Sequence, residues 1–201
     1  MSLDSTYNGL KTTLQDFLHR SDLSTPAADL ILLGETWLMR KVRATEMETA
    51  LNVTMSSGLA TAPTGFLGLK NAYIDGSSVQ PLRVMSIAAL IEKYPQRSSA
   101  DKPKFIAYAA GSFNFGPFPD SDYTVKGTYY KRQGPLSSAV YDLFTNHQDL
   151  FLMACLCEAE PYIKNDKRMP MWKLKRDELV ADINTQSEGI SYSGGMSITL
   201  A

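Results

Sequence analysis

The sequence predicts an α+β protein: an antiparallel α-helical bundle, an inserted small antiparallel β-sheet domain and an extended C-terminal tail. Three observations carry this. Apolar residues recur at helical spacing before residue 50 and again after residue 135. Between Gly58 and Pro135 lie eight of the 13 glycines and seven of the 10 prolines, against two glycines and one proline in residues 1 to 50. Breakers at that density exclude long helices and fit strands and turns. From Glu188 onward the chain is rich in glycine and serine and does not read as packed. The expected segments are therefore 1–50 and 136–187 for the two parts of the bundle, 51–135 for the insertion and 188–201 for the tail. With 201 residues and 44% hydrophobic content the chain is large enough for a real core.

The first helix is expected over Thr6 to Arg20, with Tyr7, Leu10, Leu14, Phe17 and Leu18 on one side. Thr25 and Pro26 mark the start of a second. Leu30, Leu33, Trp37, Leu38 and Val42 give its apolar face, and residues 44 to 50 are expected to finish it. In the insertion, Leu51 to Met55, Phe66 to Ile74 and Val79 to Val84 read as strands, and Ile87 to Lys93 as a helical turn. Phe113 and Phe115 alternate with Asn114, and Tyr123, Val125 and Tyr129 alternate with polar residues, the period of two that a half-buried strand needs. Gly116 to Asp120 would turn between these runs and make a hairpin or meander. Asp149 to Lys164 is apolar almost all round and belongs at a bundle centre. Pro170 opens a last helix with a stripe of Trp172, Leu179, Val180 and Ile183.

Charge and chemistry exclude most activities. The net charge is −1, so the whole chain has no electrostatic reason to seek nucleic acid or an anionic membrane. The segments differ, at −2, +4 and −3 for residues 1–50, 51–135 and 136–201. A basic insertion on an acidic bundle fits copies packed side by side, or a face turned to nucleic acid. No leader and no apolar run of about 18 residues is seen, so a soluble protein made in the cytoplasm, with no membrane partner, is expected. His19 and His147 are the only histidines, both at expected helix ends, and no nucleophile elbow, phosphate loop, dinucleotide fingerprint or zinc motif occurs. Cys155 and Cys157, two apart on a helix, point about 200° apart and cannot share a metal. No catalytic residue, cofactor or metal site is therefore expected. Glu158 and Glu160 are the acids inside the apolar helix, and residues two apart diverge. A buried Glu158 needs a neutralising partner, and an ion pair with Arg40 or Arg43 is expected.

Four stretches together resemble the head-to-tail adaptor, or head-completion, proteins of short-tailed bacteriophages. They are Tyr7 to Asp22; Trp37 to Arg43; Tyr108 to Gly111 with Phe115 to Pro119, Tyr123 and Tyr129 to Lys131; and Glu158-Ala159, Asp166 to Arg168 and Trp172. The resemblance implies a dodecameric ring between the portal above and a tail nozzle or tail tube protein below. It implies a channel that passes DNA without sequence-specific binding, a place in the virion at the head-to-tail interface, and assembly in the host cytoplasm. It further implies a tail that orders on docking to the portal, for which Ile190, Tyr192, Met196, Ile198 and Leu200 are the binding candidates. Met196, Ile198 and Leu200 alternate with Ser197 and Thr199, and residues 188 to 201 could reach about 45 Å when extended. The second and penultimate helices would face each other, while the insertion and last helix meet neighbours. The family's pattern around the sheet is more acidic than the +4 found here. Competing expectations are an adaptor of a long-tailed phage, a tail-associated cell-wall hydrolase using Glu158 and Glu160, and a single-strand-binding module in which the insertion's aromatics stack on bases beside Lys126, Lys131 and Arg132.

Overall fold

The computed structural model describes residues 4–23, 25–96, 100–163 and 167–192. It is mixed α+β, and the chain divides into two compact units. Met1–Met47 and Gln133–Ala201 form one, and Glu48–Arg132 forms the other.

The first unit is helical. α1 (Tyr7–Leu18) starts where the Thr6 hydroxyl accepts from Gly9 N at 3.0 Å, and ends at His19 in the left-handed conformation. α2 (Pro26–Lys41) has proline in its first turn, and the Thr25 side chain makes no capping bond. Then come α4 (Asp142–Asn146), α5 (Gln148–Glu158), α6 (Glu160–Ile163) and α7 (Met169–Tyr192). α5 is the centre: α1, α2 and α7 all pack on it, and Leu150, Phe151, Leu152, Ala154, Cys155 and Leu156 are buried. A single helix over 149–164 does not form. Pro161 has no N–H to donate to the fourth residue back, so the helical path breaks at Ala159 and restarts as α6.

α2 packs on α5 by a face rotated from the expected one. Ala27, Leu30, Ile31, Gly34, Glu35, Leu38 and Met39 are buried, whereas Leu33 is 52% exposed. Gly34 permits the contact, because a Cβ there would stand 3.0 Å from Cys155 N and 3.1 Å from Ala154 C. α2 also ends earlier than expected. Asn184 on α7 accepts from Arg43 N at 2.8 Å and donates to Lys41 O at 3.1 Å, which turns the backbone out of the helix. A 3-10 turn at Thr45–Met47 follows, and residues 48–50 are strand. At the other end, α7 continues to Tyr192, so residues 188–192, assigned to the tail from sequence, are helical.

The second unit holds two four-stranded sheets. In the first, β1 (Glu48–Thr54), β8 (Thr124–Lys131), β3 (Phe66–Ile74) and β4 (Gln80–Pro81) lie side by side in that order, all antiparallel. In the second the order is β2 (Leu59–Thr61), β7 (Ser112–Gly116), β6 (Phe105–Ala109) and β5 (Arg83–Val84). Here β5 and β6 are parallel, contrary to a purely antiparallel expectation. The reason is α3 (Ile87–Lys93), capped by Ser86, which carries the chain across between them.

Nor do the Phe113 and Val125 runs form a hairpin with each other. β7 pairs with β6 through a tight turn at Ala110 and Gly111, both with positive φ, and β8 crosses to the other sheet. Pro117 and Pro119 supply no N–H between β7 and β8, so ladder pairing cannot continue there. The alternation still reports burial. Phe113, Phe115, Val125 and Tyr129 join Leu51, Ile74 and Ile106 in one core drawn from both sheets. The Phe66 ring meets Phe113 edge-on at 5.2 Å and Tyr129 at 5.8 Å. In central strand β8, a Cβ on Gly127 would stand 2.2 Å from Asn71 O of β3, so only glycine fits the approach.

Replacing Gly34 by leucine drives a side chain into the α5 backbone. The expected result is a loss of about 1–3 kcal/mol, read as a lower denaturation midpoint with unchanged slope; an unmoved midpoint would contradict the close α2–α5 contact.

Candidate functional site

Among the described residues of the helical unit one carboxylate is deeply buried, that of Glu35, at 4% exposure. It lies four residues from Ile31 and four from Met39, in the middle of the α2 face that meets α5. An ionised group there is tolerable only with strong hydrogen-bond donors. Leu136 N donates to both carboxylate oxygens, at 3.0 and 3.2 Å, and Tyr141 Oη donates to Oε1 at 2.5 Å. Leu136 and Tyr141 belong to the stretch by which the chain re-enters this unit after Arg132. Burial first, then the hydrogen bond and charge of Glu35, hold the Tyr141 phenol far above its usual range, so it remains a donor. Burial and then the Glu35 charge likewise raise the Cys155 thiol, which leaves it protonated and unreactive.

The departing stretch is held by a different set of residues. Besides the two bonds from Asn184, Ser187 Oγ accepts from Thr45 N at 3.2 Å. Glu46 accepts from Asn146 Nδ2 at 3.0 Å, its Oε1 lies 3.3 Å from His147 Nε2, and Thr45 Oγ1 donates to it at 3.2 Å. Partial burial opposes its charge, but the bonds from Asn146 and the backbone, with His147 and Thr45, outweigh it and set Glu46 below the usual carboxylate range. A cleft of about 280 Å³ opens beside it, lined by Glu46, His147, Ile183, Gln186 and Ile190. Both stretches that lead out of and back into the helical unit are thus pinned within that unit by side chains of α2, α4 and α7.

The residues singled out from sequence fall as follows. Glu158, at the end of α5, is half-buried, and Glu160 is exposed beyond the Ala159 break. Arg43 directs its guanidinium to Met39 O and Val42 O at 3.1 and 2.6 Å, and Arg40 is exposed. Among the described residues no ion pair joins Glu158 to Arg40 or Arg43. Ile190 is 56% exposed on α7, Tyr192 ends that helix, and Met196, Ile198 and Leu200 lie outside the described residues. His19 caps α1, and His147 joins α4 to α5. Among the described residues no group of three side chains could hold a metal, and no helix is long and apolar enough to cross a membrane. Glu35 and Asn184 were missed from sequence. The signal for Glu35 was present, since Ile31, Leu38 and Met39 surround it at helical spacing.

A family model described as SU10 adaptor protein matches residues 5–198, a span that includes both units. The chain belongs to the SU10 adaptor family. This agrees with the resemblance to phage head-to-tail adaptors and makes the protein a structural adaptor of a bacteriophage, with a location in the virion. No curated protein matches the chain.

Two outcomes test the anchors of this SU10 adaptor. Tyr141→Phe removes a charge-assisted hydrogen bond from a buried carboxylate and is expected to cost about 1.5–3 kcal/mol in chemical denaturation, with no change in helical signal. Glu46 titrates lower folded than unfolded, so its contribution is complete above the ordinary value of 4.5 and is lost as pH falls through the folded value. Glu46→Gln should therefore flatten the decline of thermal stability below pH 4.5; an unchanged decline would show that the Asn146 and His147 contacts do not favour its charged form.

Proposed function

We propose that this protein is the head-to-tail adaptor of a short-tailed phage, a ring of twelve copies seated under the portal. It joins the portal to the tail nozzle or tail tube protein and leaves a central channel for DNA. The observation that carries this reading is the family match across nearly the whole chain. Charge supports it. Residues 48–132 hold nine basic and six acidic side chains, net +3, and the rest hold 11 and 15, net −4. Opposite charge on two units of one chain favours heterologous packing, in which one face of a copy meets a different face of the next.

The channel wall needs no grip on DNA, since each phosphate contact would add salt-sensitive affinity and slow ejection. Residues at the end of α7 and beyond it, Ile190, Tyr192, Met196, Ile198 and Leu200, are assigned to the portal. The Glu158–Arg40 or Glu158–Arg43 pair is not carried forward, because Arg43 is occupied by backbone carbonyls and Glu35 is the buried acid.

Removal of residues 194–201 is expected to abolish capture by purified portal while leaving the melting temperature unchanged. Light scattering of the full chain alone and with portal then reads ring formation. Wild-type capture by the truncated chain would refute the portal assignment.

A further inference from the structure

α7 meets the rest of its unit through one face: Met169, Trp172, Ile183 and Ser187 are buried, the Arg176 guanidinium lies 3.7 Å from the Trp37 ring centroid of α2, and Asn184 bonds Arg43 N and Lys41 O. At 100° per residue, residues 171, 174, 178 and 182 lie on the side that faces away. That side opens with Met171 and Leu174, 60% and 63% exposed on successive turns. Exposed Lys173 and Lys175 flank Leu174, and exposed Glu178, Ala181 and Asp182 follow. Among the described residues no ion pair involves Lys173, Lys175, Glu178 or Asp182.

The order of charge is unusual. All three basic residues of α7, Lys173, Lys175 and Arg176, precede its four acidic ones, Asp177, Glu178, Asp182 and Glu188. The first turn has no acid and the last no base. A helix dipole favours the reverse arrangement, anions first and cations last. Arg176 is engaged within the unit by Trp37 and by Asp177, but the exposed Lys175, Glu178 and Asp182 do not serve the dipole of α7 and suit a neighbour of the same sequence running the other way. Such a neighbour sets acids beside the lysines, lysines beside the acids, and its dipole against that of the first.

We propose that this face of α7 is a docking surface for a second copy of the chain. The two helices lie antiparallel across a two-fold axis near residues 176 and 177. Lys175 of each copy stands beside Glu178 of the other, and Met171 and Leu174 of each cover the other's Ala181. The occupant is a second copy because one face carries both halves of the match in opposite order, the property an isologous contact requires. The contact belongs to the free protein and does not rest on the portal or ring assignment. A two-fold contact closes on itself, so through this face association stops at two copies.

Sedimentation velocity of the full chain tests the pair. The wild type should show a concentration-dependent dimer that weakens with added salt. Lys175→Glu and Glu178→Lys should each weaken it at least tenfold, because each places like charges together, while circular dichroism stays unchanged at these exposed positions. An equimolar mixture of the two variants should restore the dimer, since each then meets its opposite charge in the other. Leu174→Ser should weaken association without rescue by mixing. A wild type that stays monomeric at hundreds of micromolar, variants that dimerise as the wild type does, or a mixture that stays monomeric would each overturn the proposal.

Discussion

The helical unit depends on a carboxylate that is almost wholly shielded from solvent. Glu35 sits on the buried face of α2, and its charge is tolerable there because one backbone amide and one phenol point at it. Both donors come from a stretch about 100 residues further on, after the entire sheet unit has been traversed. A local helix preference cannot bring them there. The carboxylate therefore specifies where the returning chain must lie, and it penalises any arrangement that leaves an oxygen unpaired. Gly34, the residue before it, lets α2 approach α5 closely.

The anchor of the outgoing stretch follows a different rule. It uses the polar edge of α7, through Asn184 and Ser187, and partly exposed Glu46 between Asn146 and His147. Such contacts are individually modest in water. Their effect is positional, since they end α2 at Lys41 and hand the backbone to β1. The inner edge of α7 thus fixes the chain leaving the unit, while Met171, Leu174 and Lys175 on its outer side are exposed.

Much of this was legible in the sequence because short-range periodicity reports burial directly. The alternation at Phe113 and Phe115, and at Val125 and Tyr129, names core residues that the two sheets share, and Pro26 and Pro170 mark helix starts. What the sequence did not reveal was set at long range. Period two gives the buried side of β7 and β8 but not their partners, so a hairpin was expected where the prolines send the chain to another sheet. Leu33 and Trp37 suggested an α2 face rotated from the real one, and that rotation turned Glu35 outward and directed attention to Glu158. The early end of α2 depends on Asn184, about 140 residues away, and no local pattern encodes it. Family resemblance rests on many weak matches in order, which is why it survived these local errors.

The pairing of Glu48 with Tyr130 has a wider meaning. β1 opens the sheet unit and β8 closes it, and as ladder partners they bring its first and nearly last residues to about 5 Å of each other. A segment whose two ends meet can be lengthened, exchanged or lost as a cassette, because the gap left behind can be spanned by a very short link.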